Sequence, residues 1–140
     1  MEPKYAVLQK VRDGKRTYGV TPHIPGGFIT PKQLSKIAEV AQKYKGVLKM
    51  TSGQRIAILG LEAQDVSKVW EELGMSPAVK SLNSVKNVHM CPAAFCKRAK
   101  QNSLKIGMIL DKRYHGMEMP CRTKIGRSEE RRVGKECSQG

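Results

Sequence analysis

Apolar and polar residues alternate along residues 5–11 and again along 17–21, and the Asp13-Gly14 pair between them is a strong signal for a two-residue turn. The stretch predicts an opening β-hairpin that turns over 12–15. Thr21-Pro22-His23-Ile24-Pro25-Gly26-Gly27 then breaks the periodicity: two prolines fix φ and two glycines admit unusual backbone angles, so a shaped loop is expected. From Thr30 the period becomes helical. Pro31 suits the first helical position, Gln33 stands where a capping box needs it, and Leu34, Ile37, Ala38, Ala41 and Tyr44 recur at helical spacing until Gly46, the expected stop.

Residues 47–51 and 56–61 read as short strands around a Ser52-Gly53-Gln54-Arg55 turn. A second helix is predicted over 63–73, burying Val66, Val69, Trp70 and Leu73 and stopped by Gly74, and a last strand over 85–89. From residue 17 the order is β-α-β-β-α-β, the split βαβ arrangement of a ferredoxin-like fold, in the α+β class. Beyond it, VHMCPAAFCKRAKQNS sets two cysteines ahead of a basic segment expected to be helical through Leu104, Met108 and Ile109 to about residue 114, with Gly116 at its end. Residues 120–125 look like the start of another strand. From Arg127 the run RSEERRVGKECSQG has no periodic face and reads as a disordered tail. RSEERRVGKEC also resembles a translated sequencing adapter, so residues 127–140 are expected to be non-native.

The chain has 140 residues, enough for one domain or for a small domain and part of another. Twenty-six Lys and Arg against twelve Asp and Glu leave a net charge of +14, which the tail changes by only one, and this points to an anionic partner or substrate. Nucleic acid is one candidate, as a small basic RNA-binding module with a ferredoxin-like sheet. Two Phe, four Tyr and one Trp offer few stacking platforms, and the candidate strands VLKMT and IAILGL contain none. An acidic redox partner, an inorganic oxyanion or a carboxylate-rich cofactor suits the same charge. No apolar run is long enough to span a membrane and the N-terminus lacks the order of a signal peptide, so a cytoplasmic protein is expected.

Apart from Cys137 in the tail, the cysteines are Cys91, Cys96 and Cys121, an odd number that argues against structural disulfides. His89 with Cys91 and Cys96 is only loosely like a zinc set. Cys91 and Cys96 would suit an iron-sulfur cluster at the start of a helix, whose N-terminus favours negative charge; they would equally suit two inert thiols.

Taken in order, the segments PGGFITPKQLSKIAEVA, KMTSGQRIAILGL and NVHMCPAAFCKRAKQNS resemble the sirohaem-containing nitrite and sulfite reductases, in particular their small sulfite-reductase-like members, over about residues 17–126. The resemblance implies a ferredoxin-like half-domain over 1–84, followed over 85–126 by the start of an incomplete sirohaem and [4Fe-4S] α/β domain. It places Thr51, Gln54 and Arg55 in the family's T-x-x-Q-x turn and makes Cys91 and Cys96 the first pair of cluster ligands. Four residues separate this pair where the family usually has five, and no Gly follows the first Cys. The second pair would follow a strand over 122–126, where the adapter-like run begins. Cys121 matches no ligand.

The resemblance further implies reduction of sulfite to sulfide or nitrite to ammonia, with electrons from a donor protein such as ferredoxin. Thr51, Gln54, Arg55, Lys97, Arg98 and Lys100 are then expected to bind the cofactor, and Lys49 and Arg55 to meet the oxyanion through charge-assisted hydrogen bonds. Neither a membrane nor nucleic acid is an expected partner. His23 is expected to be an exposed turn residue, His89 to pack, and His115 to place a cation at a helix C-terminus.

Overall fold

The computed structural model describes residues 2–92, 95, 97 and 102–127. β1 (Val7–Arg12) and β2 (Lys15–Val20) form the expected hairpin, turning at Asp13 and Gly14 with φ of 49° and 76°, the two-residue turn whose twist matches that of its strands. β2 pairs antiparallel with β4 (Arg55–Glu62), and β4 with β3 (Val47–Thr51), so the sheet runs β1-β2-β4-β3. Arg55 therefore opens a strand, paired with Thr51, instead of lying in the turn. Helices α1 (Pro31–Lys43) and α2 (Ala63–Leu73) pack on the sheet. Ile37, Val40, Ala41, Val66, Val69 and Leu73 meet Tyr18, Val20, Ile56, Ile58 and Leu61 in one core.

The capping box at Thr30 and Gln33 forms in full. The buried stripe of α1 differs from expectation: Val40 joins it, Leu34 is 41% exposed, and Ala38 faces solvent. Trp70 is only partly buried at the margin of the core. The helix stop also differs. Lys45, at φ 56°, takes the left-handed position usually given to glycine, while the Lys45 and Gly46 N–H groups donate to Gln42 and Ala41 at 3.3 and 2.8 Å. Gly46 is required for space instead, because a Cβ there would stand 2.7 Å from Ile58 Cγ2.

The last strand of the expected β-α-β-β-α-β order does not join this sheet. Its place beside β2 is held by β1, which a two-residue turn delivers at a smaller loop-closure cost than a strand arriving from beyond α2. β5 (Val88–Met90) is shorter than expected and pairs parallel with β6 (Ile125–Arg127) in a second sheet. Val85, the expected first residue of that strand, exchanges backbone hydrogen bonds with Gly116 and Met117. Within the proline-rich loop, Pro25–Gly27 form a single 3-10 turn. α3 (Ser103–Tyr114) starts only at Ser103, where Asn102 Oδ1 accepts from the Lys105 N–H at 3.0 Å. The strand expected over 120–125 begins at Ile125 and continues through Arg127; residues 128–140, which hold Cys137 and the rest of the adapter-like run, lie outside the described residues.

A buried polar group joins α3 to the first sheet's loop. His23 Nε2–H donates to Asp111 Oδ2 at 2.7 Å, and the rings of His23 and His115 stack with centroids 3.5 Å apart. His23 is thus a largely buried tether, its side chain 11% exposed, contrary to the exposed turn residue expected. His115 Nε2–H donates to the Ala78 carbonyl at 3.2 Å. Burial, then the adjacent His23, push the His115 pKa below its ordinary 6.5, so this helix-end histidine favours the neutral form and not the expected cation. No described helix is long and apolar enough to cross a membrane.

Two predictions follow from these contacts. Lys45→Gly should stabilise the fold by about 0.5–1 kcal/mol, the left-handed strain relieved less the extra unfolded-state entropy, whereas Gly46→Ala should destabilise it; urea unfolding measures both. Because the folded chain holds a proton on His115 less readily than the unfolded chain, its contribution to stability is complete above the ordinary pKa of 6.5 and is lost as pH falls below it. His115→Gln should therefore lose less stability than the parent between pH 7 and 5.

Candidate functional site: a cationic cavity between the two sheets

The turn after β3, the start of β4 and the segments flanking β5 and β6 enclose a cavity of about 190 Å³. Its lining brings together Arg55, Lys86, His89, Arg122 and Lys124, with Ser52, Gly53, Ser84, Asn87 and Thr123 completing the wall and no acidic side chain among them. Arg55 is half-buried and its Nε and Nη1 are buried without a hydrogen-bond partner. Gly53 makes room for the guanidinium, since a Cβ there would lie 2.7 Å from Arg55 Nη2. Arg122 and Lys124 stand exposed at the rim.

These cations act on one another. Burial, then Arg122, Arg55 and Lys124, lower the Lys86 pKa; burial, then Arg55 and Lys124, lower that of His89; burial alone lowers that of Arg55. Each group is thereby pushed toward its neutral form, and a bound anion would reverse that push. The buried, unpartnered donors of Arg55 match the oxygens of a carboxylate or oxyanion, so the chemistry of this wall fits one carboxylate of the macrocycle that the family resemblance implies.

The wall is held in place by Asn87. Its buried Nδ2 lies 3.1 Å from the Ile24 carbonyl and 2.8 Å from that of Gly53, drawing the proline-rich loop and the β3–β4 turn onto the segment ahead of β5. Thr51 Oγ1 donates to the Arg55 carbonyl at 3.1 Å and closes the turn itself. Gln54 points away from the cavity lining, with its amide on the backbone of Met90.

The expected site residues thus separate. Arg55 lines the cavity, and Lys49, exposed on β3 opposite Ala57, does not. Lys97 is exposed in a turn outside the lining; Arg98, Lys100 and Cys96 lie outside the described residues. Cys91 is a half-buried free thiol immediately after β5, and Cys121 is an exposed one. Among the described residues no group of three or more His, Cys, Asp and Glu is arranged to hold a metal ion, so Cys91 alone represents the expected ligand pair there. Lys86, Arg122 and Lys124 were not legible as site residues, and His89 lines the wall as well as packing. The alternation of Arg122 and Lys124 hinted at a shared side, but only the pairing of β6 with β5 brings them to Arg55.

Residues 9–76 match the nitrite/sulfite reductase ferredoxin-like half domain. An assimilatory-type sulfite reductase of Nitratidesulfovibrio vulgaris is 37% identical over 127 residues, covering 89% of this chain and 57% of that protein. Residues 9–76 of this chain are thus a half domain of the nitrite/sulfite reductase family. A nitrite reductase (NAD(P)H) of Bacillus subtilis is 36% identical over 126 residues, which are 89% of this chain and 15% of that protein. The chain therefore spans little more than half of the sulfite reductase and a small part of the nitrite reductase. In fold, it superposes on dissimilatory sulfite reductase I with a TM-score of 0.70 at 17% identity, over 81% of this chain and 29% of that one. The family match covers the sheet, both helices and the Thr51–Arg55 turn, and the longer alignments extend it past the cavity's second wall.

Like charges crowd the cavity. Replacing one should stabilise the cofactor-free chain: Lys86→Gln is expected to raise the melting temperature at low ionic strength, with the gain shrinking as salt screens the site. A gain equal at low and high salt would show that repulsion is not its cause.

Proposed function

We propose that this chain is part of a cytoplasmic, sirohaem- and [4Fe-4S]-dependent oxidoreductase that reduces sulfite or nitrite, with a half-domain over 1–84 and the start of the cofactor-binding domain over 85–126. The observation that carries the reading is the pair of buried, unpartnered donors, Nε and Nη1, on half-buried Arg55 in a wall of basic side chains, within a chain that carries this family's half domain. The bound macrocycle and cluster would supply the electron transfer to the oxyanion. The chain's own contribution is electrostatic. Arg55 keeps its charge and presents two donors from a rigid strand, orienting a carboxylate or an oxyanion. Lys86, pushed toward its neutral form by burial and then by neighbouring cations, holds its proton at Nζ more firmly once an anion enters, so anion binding and proton uptake are coupled.

Cys91 suits the first thiolate of the cluster, and Cys96, Lys97, Arg98 and Lys100 belong to the same proposal through the family resemblance. An electron-donor protein such as ferredoxin completes it. The RNA-binding alternative finds little support in the sheet: Tyr18 is the one aromatic residue on β1–β4, and it is 8% exposed in the core, away from any base-stacking surface.

Titration of the chain with sirohaem and, separately, with sulfite tests the role of Arg55. Arg55→Ala should weaken binding by ~1.5–3 kcal/mol, the value of a hydrogen bond to a charged group, with little change in melting temperature. Binding unchanged by that substitution would show Arg55 to be a surface residue and remove the site assignment.

A further inference from the structure

We propose that Gln54 is a positioning residue that places Cys91 through the backbone of Met90, and not a contact to the cofactor. Gln54 Nε2–H donates to the Met90 carbonyl at 3.1 Å, and Gln54 Oε1 accepts from the Met90 N–H at 3.2 Å. One side-chain amide thus makes the two hydrogen bonds that a neighbouring strand would make. Its oxygen and one N–H are occupied inside the protein. Gln54 itself sits at φ 58°, a left-handed angle unfavourable for a residue with a Cβ, in the turn closed by Thr51 and Arg55. Around it stand the Thr51–Arg55 hydrogen bond, the clamp on Met90 and the Asn87 amide, 3.4 Å from the Gln54 carbonyl.

The Met90 side chain is locked as firmly as its backbone. It is 3% exposed and fills a slot between the 3-10 turn and α3, where a Cβ on Gly26 or Gly107 would come within 2.6 or 2.9 Å of its sulfur. Gly27 closes the slot against Gln54, 3.2 Å from whose Cβ its own Cβ would lie. Cys91 is the next residue. The turn that leads into Arg55 therefore sets the place of the thiol as well as that of the guanidinium. The role of the thiol as a cluster ligand rests on the reading above; the clamp does not.

The test uses the full chain without cofactor. Amide hydrogen exchange is followed at Met90, Cys91 and Val69, and Cys91 alkylation by iodoacetamide is followed with Cys96, Cys121 and Cys137 replaced by Ser. Gln54→Leu should raise exchange at Met90 and Cys91, and the alkylation rate, about tenfold, as expected for the loss of a locally protecting hydrogen bond, while Val69 in α2 stays protected. Gln54→Glu keeps the acceptor toward the Met90 N–H and should fall between parent and Leu variant. It decides the matter if the Leu variant loses Val69 protection as well. Parent-like exchange and alkylation in a folded variant overturns the proposal, as does weakened sirohaem binding with Met90 exchange unchanged. Faster exchange with sirohaem bound by neither parent nor variant would support the clamp and count against the cofactor reading alone.

Discussion

A buried amide, the Nδ2 of Asn87, faces the carbonyls of Ile24 and Gly53, and the arrangement of the rest depends on that convergence. Three segments distant in sequence meet there: the proline-rich loop, the β3–β4 turn, and the strand-like approach to β5. Each brings backbone groups that would be costly to bury unpaired. Because the amide is 5% exposed, water cannot substitute for it, and the three segments are held in one register. Gln54 on Met90 and Asp111 on Val88 extend the same device along β5. Val88 and Met90, two residues apart on a strand, turn their N–H groups to one edge. Side chains satisfy that edge, which explains how so short a strand is stable outside the main sheet.

The cavity gathers basic side chains against their mutual electrostatic preference. Arg55, Lys86 and His89 converge with no acidic residue among the described lining residues, and burial adds to the cost. Such an arrangement persists when the surrounding structure is stable enough to hold it. Here the four-stranded sheet with its apolar core supplies the rigidity, and Arg55 stands at the first position of a central strand, where its backbone is paired. The positive charge spread through the sequence acquires a direction only at this point. Lys49 shows the contrast: equally basic and only six residues away, it faces solvent because its position on β3 sets it outside the wall.

The two histidines show how far local reasoning misleads when tertiary partners are absent. A histidine between two prolines looks like a surface residue, yet His23 is drawn inward by Asp111, which stands 88 residues later. His115 follows a helix, where a cation would normally be favoured, but burial against another imidazole outweighs the dipole term. Lys45 and Gly46 make the same point at the end of α1. Local pattern makes Gly46 the stop for its backbone freedom, whereas its missing Cβ serves Ile58 and the left-handed angle falls to Lys45.

What the sequence determined by itself is everything set over a few residues. The Asp13-Gly14 turn, the capping box at Thr30 and Gln33, the extents of α1 and α2, and the family likeness carried by three contiguous segments were all legible, because hydrogen bonds and periodicities of that range are written in adjacent positions. Tertiary structure alone decided which strand stands beside β2, that Gln54 serves Met90, and that Lys86, Arg122 and Lys124 join Arg55. Those outcomes depend on competition for one sheet edge and on a parallel pairing between segments more than thirty residues apart, and no local pattern records which contact wins such a competition.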